Sequence, residues 1–198
     1  MRKKSHILLG RYLADQMSEV YSLQQHRKAF CLGNIMPDLK PSFLTTRHEF
    51  FGTFNQLQSN MRELVERSPE EDNARVYWRR FGEVMHYMAD YFTFPHNRTY
   101  KGSLAEHNSY EAELKNCLKE CILSGNADSQ LEEAKHFDSF EELVGYIRER
   151  HACYLESPRC IADDIRFILR VCYQVIQGIF QLCLRRQFHM EGRPVTAI

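Results

Sequence analysis

The 198-residue chain carries no excess charge of either sign, with 26 basic residues against 26 acidic ones. No global field therefore draws it to nucleic acid or to an anionic membrane. No stretch of about 18 apolar residues of the kind that spans a bilayer stands out, so no transmembrane segment is predicted. Internal repeats and low-complexity runs are missing, which removes solenoid and disordered-tail classes. Strand-like alternation is also missing. The seven cysteines, Cys31, Cys117, Cys121, Cys153, Cys160, Cys172 and Cys183, form no Cys-x2-Cys pair. An odd, scattered set of this kind predicts reduced thiols, most of them serving as small buried apolar residues. Arg2, Lys3 and Lys4 look like the basic start of a signal peptide, but the following apolar stretch, Ile7 to Gly10, is short and is broken by Arg11 and Asp15. Together with the cysteines this predicts a cytoplasmic protein.

What the chain does have is apolar periodicity of about 3.6 residues. Ile7, Leu8, Tyr12, Leu13, Met17, Val20 and Tyr21 make one stripe, predicting a helix over 6–25 with His6 in its first turn. Further helices are expected over 47–66, 70–93, 104–124, 139–155 and 160–188. The polar stretch SGNADSQ marks a connector. CLGNIMPDLKPSFLTTRHEF, with Gly33, Pro37 and Pro41, reads as a long ordered loop that delivers Asp38. The expected architecture is all-α, a single-domain multi-helix bundle over 1–198 around a buried zinc cluster.

The most informative residues are His6, Asp38, His48, His86, Asp90, His96, His107 and Glu111. Imidazoles and carboxylates are the donors used by zinc sites built for hydrolysis. The stretch HYMADYFTFPHNRTYKGSLAEHNSYE contains His86-x3-Asp90 and His107-x3-Glu111. A helix puts residues four apart on one face, so each pair is spaced to hold a common ion. Between them, Pro95 and Gly102 interrupt the helix and put His96 on or near a turn.

In this order and spacing the chain resembles the bacterial zinc-dependent phospholipases C, a family related in fold to zinc nucleases acting on single strands. The resemblance implies that Asp38, His48, His86 and Asp90 hold one zinc and that His96, His107 and Glu111 hold a second. It further implies that His6 and a bridging Asp90 contribute to a third, so two or three Zn²⁺ ions are expected. Asp38 and Asp90 are the candidates to orient or deprotonate an attacking water. Three departures qualify it. Secreted members begin with a Trp whose amine and carbonyl bind the third zinc, whereas this chain opens MRKKSH. That leaves the site near His6 short of donors, beside a flexible basic stretch Met1 to Lys4 that repels a cation, and its ion is expected to bind weakest. Leu39 and Thr45 stand where choline-cleaving members have aromatics, with Phe43, Phe50 and Phe51 close enough in sequence to wall a pocket. No C-terminal membrane-binding β domain follows.

The expected activity is phosphoester hydrolysis, on a lipid or a small soluble phosphoester. The alternatives are a single-strand nuclease and a non-catalytic metal-binding protein; charge neutrality disfavours the first and the length of the donor series the second. Four other histidines, His26, His136, His151 and His189, read as hydrogen-bonded or surface residues. Asp163 and Asp164 read as a helix cap or a solvated pair, RERH over 148–151 as a solvated face, and Tyr91, Phe92, Phe94 and Tyr100 as either substrate mouth or core.

Overall fold

The computed structural model of the chain describes residues 1–39, 49–158 and 160–190. Among them are eight α-helices and no strand. These are α1 (Lys3–Gln16), α2 (Tyr21–Gln25), α3 (Arg27–Gly33), α4 (Phe50–Glu66), α5 (Ala74–Tyr91), α6 (Leu104–Leu123), α7 (Phe140–Glu156) and α8 (Ile161–Met190). The expected all-α class is the observed one, and the last five helices lie close to their predicted spans.

The first predicted helix is divided. α1 stops at Gln16, and the Gln24 side chain donates to the carbonyls of Ala14 at 2.8 Å and Met17 at 3.1 Å. A side chain from the next turn thus satisfies carbonyls that a continuing helix would have used. The predicted long loop is also shortened, because α3 occupies Arg27–Gly33 and Asp38 sits in a 3-10 turn, Pro37–Leu39. His48, Phe43 and Thr45 lie outside the described residues.

α3 and α5 pack backbone to backbone. A Cβ on Gly33 would meet the Arg79 carbonyl oxygen at 1.9 Å, and one on Gly82 the Phe30 carbonyl oxygen at 2.1 Å. Only glycine permits this approach, and it brings the end of α3 against the donor-bearing half of α5. The buried side of α5 runs Trp78, Phe81, Gly82, Met85, His86, Ala89, Asp90 at three- and four-residue steps, so that one stripe changes from apolar packing to donors.

α8 is the central core helix, burying Ile168, Leu169, Cys172, Val175, Ile176 and Ile179 and touching α4, α5, α6 and α7. Contrary to the expectation of no transmembrane-length apolar stretch, its residues Ile161–His189 are long and apolar enough to cross a membrane, with a mean hydropathy of 1.5 in the best window. Of that window, 61% is buried inside the protein, as in a core helix. Only Cys172 and Cys183 among the seven cysteines are buried; Cys153 and Cys160 are exposed and none is disulfide-bonded.

Candidate metal centre

Five segments, α1, the Pro37–Leu39 turn, α5, the Phe94–His96 turn and α6, converge around Asp90 and Glu111. His6 comes from the first turn of α1, and its Nε2 lies 3.2 Å from Asp90 Oδ1. His86, one turn before Asp90 on α5, places Nε2 at 3.3 Å from Asp90 Oδ2 and 3.6 Å from Asp38 Oδ1. His96 ends a 3-10 turn, Phe94–His96, with Nδ1 at 3.5 Å from Asp90 Oδ2 and Nε2 at 3.0 Å from Glu111 Oε1. His107 reaches the same Glu111 oxygen at 3.1 Å, one turn away on α6.

Local chemistry sets each position. Ser103 and Glu106 form a reciprocal capping box that fixes the start of α6 at Leu104, three residues before His107. His86 donates through Nδ1 to the Asn34 carbonyl at 2.8 Å, the contact that the close approach of α3 and α5 makes available. That bond turns Nε2 toward the carboxylates, the arrangement typical of a metal-binding imidazole. His6 stacks on His86 with ring centroids 3.9 Å apart.

Seven of the eight predicted donors are therefore brought together, and the eighth, His48, lies outside the described residues. Ligand atoms of His6, Asp38 and His86 lie within 4.8 Å of one another, as do those of His96, His107 and Glu111. The second set is the one implied for a single zinc. His6 falls with Asp38 and His86, and the two oxygens of Asp90 link the sets.

The donors fit a metal. Burial and the neighbouring His86 push His6 down to about 3, so its imidazole is neutral, as a ligand must be. Both His6 nitrogens are buried without a well-formed hydrogen bond, Nε2 meeting only Asp90 Oδ1 at 3.2 Å, an arrangement that a coordinating cation would relieve. Burial also lowers His96. Against their own burial, Asp90 and Glu111 stay below the usual carboxylate range; His96, the Met1 amine, His6 and His86 act on Asp90, and His107, His96 and the amine act on Glu111.

The N-terminus departs from expectation. Met1 is 4% exposed rather than part of a flexible stretch, and α1 begins at Lys3. Its α-amine lies 2.5 Å from Asp90 Oδ1, 3.2 Å from Glu111 Oε1 and 3.0 Å from His96 Nε2. Burial opposes the charge on this amine, but Asp90 and Glu111 outweigh it and raise its pKa. The amine thus stands among the carboxylates as an ion-pair partner, a position not anticipated from the sequence.

A buried polar network, not anticipated from sequence, holds the His96 turn. Asp164, read as a cap or solvated residue, is fully buried. It accepts hydrogen bonds from the Phe94 N–H at 2.9 Å, the Tyr110 hydroxyl at 2.9 Å and the Tyr154 hydroxyl at 2.6 Å. Burial raises its carboxyl to about 6. On the other side of the turn, Asn97 donates to the carbonyls of Tyr91 at 3.2 Å and Thr93 at 3.0 Å. Its Oδ1 is 3.1 Å from His151 Nε2. His151 is therefore not part of a solvated face; it is 2% exposed and stacks on Phe50 at 3.9 Å. The only sequence trace of this network is a lone His and an Asp pair without a periodic partner.

The aromatic candidates divide between core and cleft. Tyr91 and Phe92 are core, and Phe50 is buried against Tyr91 and His151, while Tyr100 lines a cleft of about 1240 Å³ that opens on Asp38, His96, His107 and Glu111. Phe51 is 63% exposed beneath Arg98.

No curated protein and no solved structure matches the sequence. The profile of the zinc-dependent phospholipase C family matches residues 5–161, a span that contains all eight donors expected from the sequence and runs from α1 through α7. With that span covering most of the chain, and with seven of these donors gathered around Asp90 and Glu111, the chain belongs to the zinc-dependent phospholipase C family.

Proposed function

We propose that the protein is a zinc-dependent phosphoester hydrolase acting as a single domain, with two or three ions held by His6, Asp38, His48, His86, Asp90, His96, His107 and Glu111. The observation that carries this reading is the convergence of donors from five separate segments beside one open cleft, which Asp38, His96, His107 and Glu111 line while His6, His86 and Asp90 are buried behind them. A structural zinc needs only one closed shell of four donors, and this set exceeds it. Bound zinc supplies a Lewis acid for phosphoryl oxygens and a water acidic enough to deprotonate near neutral pH.

The protein residues divide the remaining work. Asp38 lines the cleft, so it is placed to orient an attacking water and take its proton. Asp90 is buried behind it and fixes the relative positions of His6, His86 and His96. His86 is held in one tautomer by Asn34, and Asp164 with Asn97 keeps the His96 turn in place. The seven unpaired cysteines support a reducing, cytoplasmic setting.

The test combines elemental analysis with a substrate panel of phosphatidylcholine, a nitrophenyl phosphodiester and single-stranded DNA. Bound zinc with metal-dependent phosphodiester turnover is expected. Turnover of DNA alone would make the protein a nuclease, and bound zinc without turnover would make it a non-catalytic metal protein. Asp38→Asn is expected to abolish turnover while retaining most of the metal.

A further inference from the structure

A chain with no net charge concentrates cations at one place. Arg2, Lys3, Lys4 and Lys115 line the same cleft as Asp38, His96, His107 and Glu111. Lys115 continues the His107 and Glu111 face of α6, two turns and one turn further along the helix. Arg2 is held in place by its guanidinium donating to the Asn108 carbonyl at 2.8 Å.

Two observations separate this group from an ordinary solvated face. Lys3 and Lys4 occupy the first turn of α1, which has no acidic residue. Cations there oppose the helix dipole, as Arg27 and Lys28 also do at the start of α3, whereas α6, α7 and α8 each carry acids in the first turn. A local electrostatic conflict of this kind marks a functional placement more than a stabilising one. Second, no carboxylate among the described residues pairs with Arg2, Lys3, Lys4 or Lys115. The other carboxylate at the mouth, Glu49, sits 3.5 Å from Arg98.

Resting on the hydrolase reading above, we propose that this cationic mouth binds a second anionic group of the substrate, so that the site prefers phosphoesters carrying an additional phosphate or carboxylate over those carrying a quaternary ammonium. The metal-facing wall takes the scissile phosphate, and Arg2, Lys3, Lys4 and Lys115 face whatever extends toward solvent. Leu39 at 52% exposure adds no aromatic face for a choline head group.

The test uses three 4-nitrophenyl phosphodiesters whose second ester carries a neutral ethyl, a cationic choline or an anionic carboxyethyl group. In low salt kcat/KM is expected to fall from anionic to neutral to cationic, spanning about tenfold. The span should shrink in about 1 M salt, where screening acts within about 3 Å. Lys3→Gln, Lys4→Gln and Lys115→Gln combined should compress it to about threefold or less, with circular dichroism checking that the fold survives. Equal rates, or preference for choline, would overturn the proposal while leaving the hydrolase reading intact. Should none of the esters turn over, the hydrolase reading fails, and calorimetry with the matching hydrolysis-resistant phosphonates still decides the charge preference. If anionic vesicles stimulate turnover while the soluble esters show no charge preference, the cations dock on a membrane and the proposal is wrong.

Discussion

Two buried polar clusters lie on either side of the Phe94–His96 turn, and they are built on opposite principles. Around Asp164 every group described has its complement: one carboxylate accepts from a backbone N–H and two tyrosine hydroxyls. Around Asp90 the groups are in excess of what they can offer one another. His6 makes no well-formed hydrogen bond and meets only Asp90, two imidazoles face one Glu111 oxygen, and the Met1 amine is drawn in among carboxylates. A satisfied network rigidifies a scaffold, whereas an under-satisfied one of nitrogen and oxygen donors is what a metal completes. The difference separates the candidate centre from the frame that holds it.

The comparison breaks most sharply at Asp90. Asp90→Asn is expected to lower phosphodiester turnover by at least about a hundredfold and to reduce bound metal, because Asp90 links both donor sets. Glu111→Gln should cost less, since Glu111 belongs to one set. Equal, small losses in both would remove Asp90 from its linking role.

Asp164→Ala tests the opposite cluster. Three donors would lose their acceptor, so a loss of about 3 kcal/mol in urea unfolding is expected, with zinc affinity falling about tenfold as the His96 turn loosens. Asp164→Asn should restore part of both. An unchanged zinc affinity would confine Asp164 to stability alone.

Gly82→Ala sharpens the link between packing and the centre. Its Cβ meets a backbone oxygen that cannot move cheaply, so a loss of about 2 kcal/mol is expected. Weaker zinc binding should accompany it, because Asn34 is displaced from His86. Wild-type stability in this variant would contradict the close approach of α3 and α5.

The smallest effect is in pH dependence, and the two flanks of the turn differ in sign. Burial pushes His151 down to about 4 from its usual ~6.5, so the folded chain binds fewer protons than the unfolded one across that window. Its contribution is complete above ~6.5 and is lost as pH falls through 4. Asp164, raised to about 6, acts oppositely: the folded chain binds more protons, and its contribution is lost as pH rises from ~3.9 through 6. In metal-free protein, His151→Gln should flatten the acid-side loss between pH 6.5 and 4 by about 1–2 kcal/mol. Asp164→Asn should reduce the loss on raising pH. Melting temperatures over that range measure both, and parallel slopes in wild type and His151→Gln would remove His151 from the account.

Much of the fold was legible because it depends on near-neighbour chemistry. Apolar periodicity located α4 to α8, and Pro95 placed His96 in a turn. The break after Gln16 was not legible, since it depends on Gln24 reaching back to satisfy carbonyls instead of on a Gly or Pro. The site divides in the same way. Donor order and four-residue spacing mark His86 with Asp90 and His107 with Glu111, because helical geometry alone makes those pairs neighbours.

By itself, then, the sequence determined an all-α chain, its donor pairs and the family they point to. Only the tertiary structure decided that Met1 is buried, 89 residues from Asp90 in sequence but in contact with it, and that Asp164 lies 70 residues beyond the Phe94 N–H it fixes. It also decided that His151 is core and that the cations of α1 and Lys115 share one mouth. The physical reason is range. Helix period and turn chemistry act over a few residues, whereas burial and charge pairing depend on which distant segments the core brings together, and no local pattern encodes that.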